Sequence, residues 1–203
     1  VNQVIKPGRY TQPSLATPKF VAENGDKKPA PTEVGTATHL VLQQVNLQDE
    51  PTMETVTALI NHLVKTGILQ ENVAQAINVS GILKFYQSPV GQVVLANPTK
   101  THREVPFSLL MKANQAFKNF GENEQQRILI HGIIDGYVEA DDGVYLFDYK
   151  TDRLTPQTTI ETIRDRYEGQ LRLYAIALAK ILGKPISKKY LYLLSSDQLV
   201  PVQ

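Results

Sequence analysis

The sequence predicts a mixed α/β (α+β) domain, in which helices flank one mixed central sheet and the first half of the chain adds a helical layer. Three observations carry this. Apolar residues recur at helical spacing through residues 32–98, and from residue 99 the pattern changes to short runs rich in β-branched and aromatic residues. One long amphipathic helix then interrupts the strands before the last of them. The order is helices, three strands, a helix and a strand.

Residues 1–31 hold five of the twelve prolines, with Asn24-Gly25-Asp26 among them, and read as an extended strap or linker ahead of a domain over 32–203. PTEVGTATHLVLQQV puts Val34, Thr38, Val41, Leu42 and Val45 on one helix face. PTMETVTALINHLVKTG predicts a second helix, with Pro51 in its first turn and Gly67 as its stop. Shorter helices are expected in QENVAQAIN, SGILKFYQ and SPVGQVVLAN, the last capped by Ser88 with Pro89 at its first position. THREVPFSLLM, QQRILIHGIIDGYVEA and VYLFDYKT read as strands. A long helix from about Pro156 to Leu182 is closed by Gly183 and Pro185, and KKYLYLLSS is the last strand.

Composition removes several function classes. A formal net charge of +1 gives no overall basic field, so any nucleic-acid surface must be local. The absence of cysteine excludes disulfides, thiolate zinc sites and cysteine-ligated iron–sulfur clusters, and fits a reducing cytoplasm. LYAIALAKIL is too short to span a bilayer and contains a lysine, so no membrane role is expected. The N-terminus has no signal-peptide pattern, and no GxxxxGK[ST] loop predicts an ATPase. Val1 in place of methionine reads as a piece cut from a longer protein.

The chemistry concentrates in GIIDGYVEADDGVYLFDYKTD, residues 132–152. Ala140-Asp141-Asp142-Gly143 is a good turn, so the flanking strands should pair antiparallel. Centring the loop on Asp141-Asp142 sets Asp135 across from Asp148; centring it on Asp142-Gly143 sets Asp135 across from Lys150. Either register puts Asp135, Asp148 and Lys150 on one face. Two carboxylates opposed at about 4.5–5.5 Å between Cβ atoms repel unless a positive charge lies between them, and a hard divalent cation suits that place. A surface salt-bridge cluster is the ordinary alternative for one such aspartate. For three charges that each follow an apolar run, a functional cleft is the better account.

The G-I-I-D and D-Y-K-T elements, followed by a helix carrying Gln170 and Tyr174 in QLRLY, resemble the D…(D/E)xK signature of the restriction-endonuclease-like PD-(D/E)XK superfamily. Within it they are similar to the RecB-type nuclease domain of bacterial helicase–nuclease subunits, over roughly residues 30–203. The resemblance implies a restriction-endonuclease-like sheet core over 99–203 and a Mg²⁺-dependent DNA nuclease, with Mn²⁺ as an alternative cofactor. Asp135, Asp148 and Lys150 would be catalytic; His39, Asp135, Asp148 and the Tyr149 carbonyl would hold the metal; Gln170 and Tyr174 would meet DNA. Lys150 would either orient or deprotonate water, or stabilise the phosphorus centre. Glu104 resembles a carboxylate the family places in the preceding strand, and reads equally as a strand-face charge paired with Arg103 or a nearby lysine.

His39 follows Gly35 by one helical turn in GTATH, and Gly35 would let that helix approach the sheet closely; an ordinary half-buried core histidine is the alternative. His62, His102 and His131 have no comparable claim, His131 lying roughly 13 Å along the strand from Asp135. The expected partners are DNA, chiefly single strands, the helicase region of the same parent chain, and an AddB (RexB)-type subunit. The work would be double-strand-break repair by homologous recombination. Two other classes stay open: a catalytically idle nuclease-like fold that binds DNA or scaffolds another subunit, and a stand-alone phage- or CRISPR-type nuclease.

Overall fold

The computed structural model describes residues 28–112 and 127–203; most of the expected strap, and Gln125 and Gln126 of the expected second strand, lie outside them. Five helices precede the sheet: α1 (Pro31–Gln44), α2 (Met53–Lys65), α3 (Glu71–Gln75), α4 (Val79–Gln87) and α5 (Pro89–Ala96). Ser88 caps α5 by accepting the Gly91 amide, as expected. In α2 the cap is Thr52, whose hydroxyl accepts the Thr55 amide, so Pro51 stands outside the helix. Gly67 ends that segment with φ 73°, a conformation that a side chain would strain.

The sheet follows the order β1-β2-β3-β4-β5, from β1 (Thr101–Lys112), β2 (Arg127–Ala140), β3 (Gly143–Lys150), β4 (Ile186–Leu193) and β5 (Gln198–Val202). All neighbours are antiparallel except β3 and β4, which the long helix α6 (Ile160–Leu182) connects. α6 begins later than its periodicity suggested because Thr159 caps it, its hydroxyl accepting the Thr162 amide. The last strand of the sequence reading is two strands. Asp197, at φ 56°, turns the chain after β4 so that β5 pairs back on it, and a five-residue strand with proline at its fourth position gave little alternation to read.

The sheet is covered on both faces, which explains why β3 is buried from Val144 to Lys150 and reads as a nearly unbroken apolar run. Helices α1–α5 pack on one face, against Val138, Tyr145, Phe147, Tyr149 and Tyr192. α6 packs on the other, against Phe107, Ile134, Tyr137 and Leu146 at one end and Leu191 and Leu193 at the other. Gly136 is required in this packing, since a Cβ there would stand 2.2 Å from the Phe147 ring.

One rung of the β1–β2 ladder departs from the pleat. Arg103 pairs with Gly136 and Val105 with Ile134, but Glu104 and Asp135 between them are not registered partners. Glu104 has φ 52°. Ile134 and Tyr137 then pack into the same cluster although three positions apart, where strict alternation would send them to opposite faces. The strand pair changes faces at this rung.

Candidate active site

The β2–β3 hairpin adopts the register that sets Asp135 toward Asp148: Gly136 pairs with Phe147 and Ala140 with Gly143. The registered ladder stops one step short of Asp135. There the Asp135 side chain takes over, its Oδ2 accepting the Tyr149 amide at 2.7 Å. The flipped rung and the hairpin therefore bring Glu104, Asp135, Asp148 and Lys150 to one place.

His39 arrives from α1. Gly35, one turn earlier, lets the helix approach the end of β3, where an added Cβ would lie 3.3 Å from Thr151 Oγ1. The His39 ring stands edge-on to the Tyr149 ring, centroids 5.7 Å apart. Its Nδ1 is 3.4 Å from Asp135 Oδ1 and 3.8 Å from Glu104 Oε1. Burial disfavours an imidazolium here, but the Asp135 charge and the neighbouring Asp135 and Glu104 carboxylates outweigh it and push the His39 pKa up to about 10. His39 thus carries the proton that partly neutralises the acids. The Glu104–Arg103 pairing considered from the sequence does not form. Arg103 Nη1 instead donates to Leu42 O and Val45 O, both at 2.8 Å.

The donor atoms of His39, Glu104 and Asp135 lie within 4.8 Å of one another. Adjacent ligands about 2.1 Å from an octahedral cation stand about 3.0 Å apart, so the observed separations need only a small contraction to close around one. Accessibility falls across the site: the side chains of His39 and Glu104 are 27% and 24% exposed, that of Asp148 3%. The open side of the site is the His39–Glu104 side.

Asp148 belongs to the drier half. Burial, and then the Asp135 charge, push its carboxyl up to about 7, against the pull of Lys150. Asp135 shows the opposite result. Burial would raise it, yet the His39 charge and hydrogen bond, then Lys150 and the Tyr149 amide, hold it below the usual carboxylate range. Lys150 Nζ lies 2.6 Å from Asp148 Oδ2, in a geometry that leaves this buried oxygen without a proper hydrogen bond. Nζ also donates to Gln170 Oε1 at 3.1 Å and sits 4.1 Å from the centre of the Tyr167 ring.

Gln170 and Tyr174 lie one turn apart on α6, as their spacing requires, with Gln170 Nε2 donating to Tyr174 Oη at 2.9 Å. The Tyr174 ring packs edge-on to Phe107, and burial, then the Asp148 charge, push its phenol up to about 12. Lys150, Gln170 and Tyr174 form one chain of contacts from the acids to the helix. The remaining histidines stay apart: His102 stacks on Tyr137, and His62 and His131 are exposed.

Two participants were not singled out from the sequence. The Tyr167 ring faces Lys150 while its hydroxyl donates to Asp152 Oδ2 at 3.0 Å. Arg103 entered only as a partner for Glu104. Its signal was indirect: α1 has no basic residue in its last turn, so its end carbonyls need a donor from elsewhere.

A sequence profile described as the PD-(D/E)XK nuclease superfamily matches residues 14–200. The chain belongs to this superfamily. Its α/β architecture, a mixed five-stranded sheet between helices, agrees with the restriction-endonuclease-like fold of such nucleases. The chain is 48% identical over 197 residues to the AddA-type ATP-dependent helicase/nuclease of Levilactobacillus brevis, covering 96% of this chain and 15% of that protein. The corresponding helicase/nucleases of Lactiplantibacillus plantarum and Pediococcus pentosaceus are 46% and 45% identical, over 96% and 100% of this chain and 15% and 16% of those proteins. The chain thus spans about 15% of the length of these relatives and corresponds to the nuclease domain of such AddA-type proteins.

Proposed function

We propose that this PD-(D/E)XK domain is a Mg²⁺-dependent DNA exonuclease, with Mn²⁺ able to substitute, and that it serves double-strand-break repair by homologous recombination in the cytoplasm. The observation that carries the proposal is the convergence of His39, Glu104 and Asp135 donors beside the buried Asp148–Lys150 pair. The working unit is residues 32–203, with 1–31 the strap that joins it to the helicase region of a longer chain; an AddB (RexB)-type subunit is the partner.

His39, Asp135 and Asp148, with the Tyr149 carbonyl, would hold the metal, and Glu104 completes the accessible side. The donor set suits it: three carboxylates and an imidazole, with one buried Asp148 oxygen met by the Lys150 ammonium at 2.6 Å. A bound divalent cation supplies an activated water and neutralises phosphate charge. Protein groups do the rest. Asp135 is fixed by the Tyr149 amide, so its second oxygen is aimed at His39 and the open side. Lys150 is held by Asp148, Gln170 and the Tyr167 ring, and either takes up the water proton or stabilises the phosphorus centre. Gln170 and Tyr174 hold the lysine from the helix side and offer an amide and a phenol to the strand being cut.

Single-stranded DNA labelled at one end, incubated with the chain in Mg²⁺, in Mn²⁺ and in EDTA, tests this directly. Shortening of the strand only with metal, abolished in Asp135→Ala, is the expected result. Cleavage in EDTA, or by Asp135→Ala at the unaltered rate, would remove the site, and faster cutting of blunt duplex would remove the single-strand preference.

A further inference from the structure

We propose that Arg103 is a positioning residue for the metal site, acting through the helix that carries His39. The inference rests on the metal-nuclease reading above and adds a residue that does not touch the metal. α1 ends three residues before Leu47, and its last carbonyls have no partner within the helix and no basic side chain of the helix nearby. Arg103, from β1, supplies both. One guanidinium nitrogen donates to Leu42 O and Val45 O at 2.8 Å each, carbonyls three and six residues beyond His39. Leu42 and Val45 are buried, and so is Tyr86, whose hydroxyl also reaches Leu42 O, at 3.5 Å. A permanent positive charge at a helix C-terminus is favourable, and a guanidinium bridging two carbonyls fixes both the axial position and the rotation of the last turn.

The left-handed backbone at Glu104 gains a reason from this. In a regular strand Arg103 and Glu104 would point to opposite faces. With φ 52° at Glu104, both side chains address α1: Arg103 grips its end, and Glu104 approaches the His39 imidazole one turn earlier. Two consecutive residues of one strand therefore set the distance between the histidine and the acids. Such a backbone conformation in a residue with a side chain is strained, and is the kind retained where geometry matters. Ala37 and Val41 still pack α1 on the sheet without the arginine, so its loss should let the helix shift rather than detach.

The test is a double-mutant cycle on Mn²⁺ affinity, read by isothermal titration of the 203-residue chain with Mn²⁺ alone, with circular dichroism confirming the fold. Arg103→Met keeps the length and removes the donors. It should weaken Mn²⁺ binding by about 10- to 100-fold, the range for residues that orient a metal ligand. His39→Ala should weaken it at least as much, and the double variant should be no weaker than His39→Ala alone, because Arg103 acts only through that histidine. Arg103→Lys should recover part of the affinity, and it replaces Arg103→Met in the cycle if the latter does not fold. Unchanged affinity in these Arg103 variants, or losses that add in full to that of His39→Ala, would overturn the proposal. Failure of the wild-type chain to bind Mn²⁺, or unaltered binding by Asp135→Ala, would instead overturn the metal-nuclease reading beneath it.

Discussion

Asp148→Asn should abolish cleavage and, in the absence of metal, make the domain more stable. The Asp148 side chain is 3% exposed, and its carboxyl is pushed from 3.8 to about 7 by burial and then by the Asp135 charge. At about 1.4 kcal/mol per pH unit, that displacement corresponds to about 4 kcal/mol. Its sign follows from proton binding. The unfolded chain releases this proton near 3.8 and the folded chain near 7, so stability falls as pH rises through that window and the full penalty is present above it. Asparagine has no such penalty at any pH, but it leaves Lys150 without its carboxylate, which returns part of the gain. A net increase of about 2 kcal/mol at pH 8 is a reasonable magnitude. For a chain of this length it raises Tm by about 4–8 °C. Thermal unfolding followed by circular dichroism in EDTA, at pH 8 and again at pH 5, measures it. The gain should be largest at pH 8 and shrink toward pH 5, and added Mn²⁺ should raise the Tm of the wild type more than that of the variant. An asparagine variant no more stable at pH 8, or equally stabilised at both pH values, would show that Asp148 is not held at a disadvantage.

Four further outcomes are expected. Lys150→Ala should bind Mn²⁺ as the wild type does yet lose about 100-fold or more in turnover on labelled DNA, because the ammonium serves charge development rather than metal affinity; near-normal turnover would remove the lysine from the chemistry. Metal binding should release protons, since His39, with a pKa of about 10, must lose its proton to become a ligand. Titrations in buffers of different ionisation heat, with Mn²⁺ affinity rising from pH 6 to 9, would register this, and a pH-independent affinity would contradict it. Gly136→Ala should destabilise the domain in urea by about 1–3 kcal/mol, because the new methyl meets the fully buried Phe147 ring; equal stability would mean that the ring can turn aside. With a net charge of +1, single-stranded DNA should bind weakly and be released by salt, and binding that persists at high salt would point to a larger basic surface.

The sequence made the site's inventory readable and left its geometry to be seen. Asp135, Asp148 and Lys150 stood out because each follows an apolar run, and one of the two hairpin registers considered, the one that aims Asp135 at Asp148, is the register observed. Gln170 and Tyr174 were legible from helical spacing, and Gly35 with His39 from one turn of α1. Alternation failed at Glu104 and Asp135, where both strands change faces, and nothing in REVPF announces a left-handed glutamate. That is why Glu104 stayed balanced between two roles and why Arg103 was assigned to its neighbour instead of to a helix. The second strand of the terminal hairpin was hidden for a simpler reason. Five residues containing a proline give too few alternations to separate a strand from a tail.

The packing of the sheet on both faces also bears on when the proposed site is complete. The acids sit on strands packed on both faces, whereas the histidine comes from the helical layer on one face and the Gln170 and Tyr167 that meet Lys150 come from α6 on the other. A chain with only the helical layer packed would set His39 beside Asp135 but leave Lys150 without Gln170 and the Tyr167 ring; one with only α6 packed would hold the lysine and lack the histidine. The site proposed above is therefore complete only when the helical layer and α6 have both closed on the sheet. On the metal-nuclease reading, completion of folding would be the safety catch.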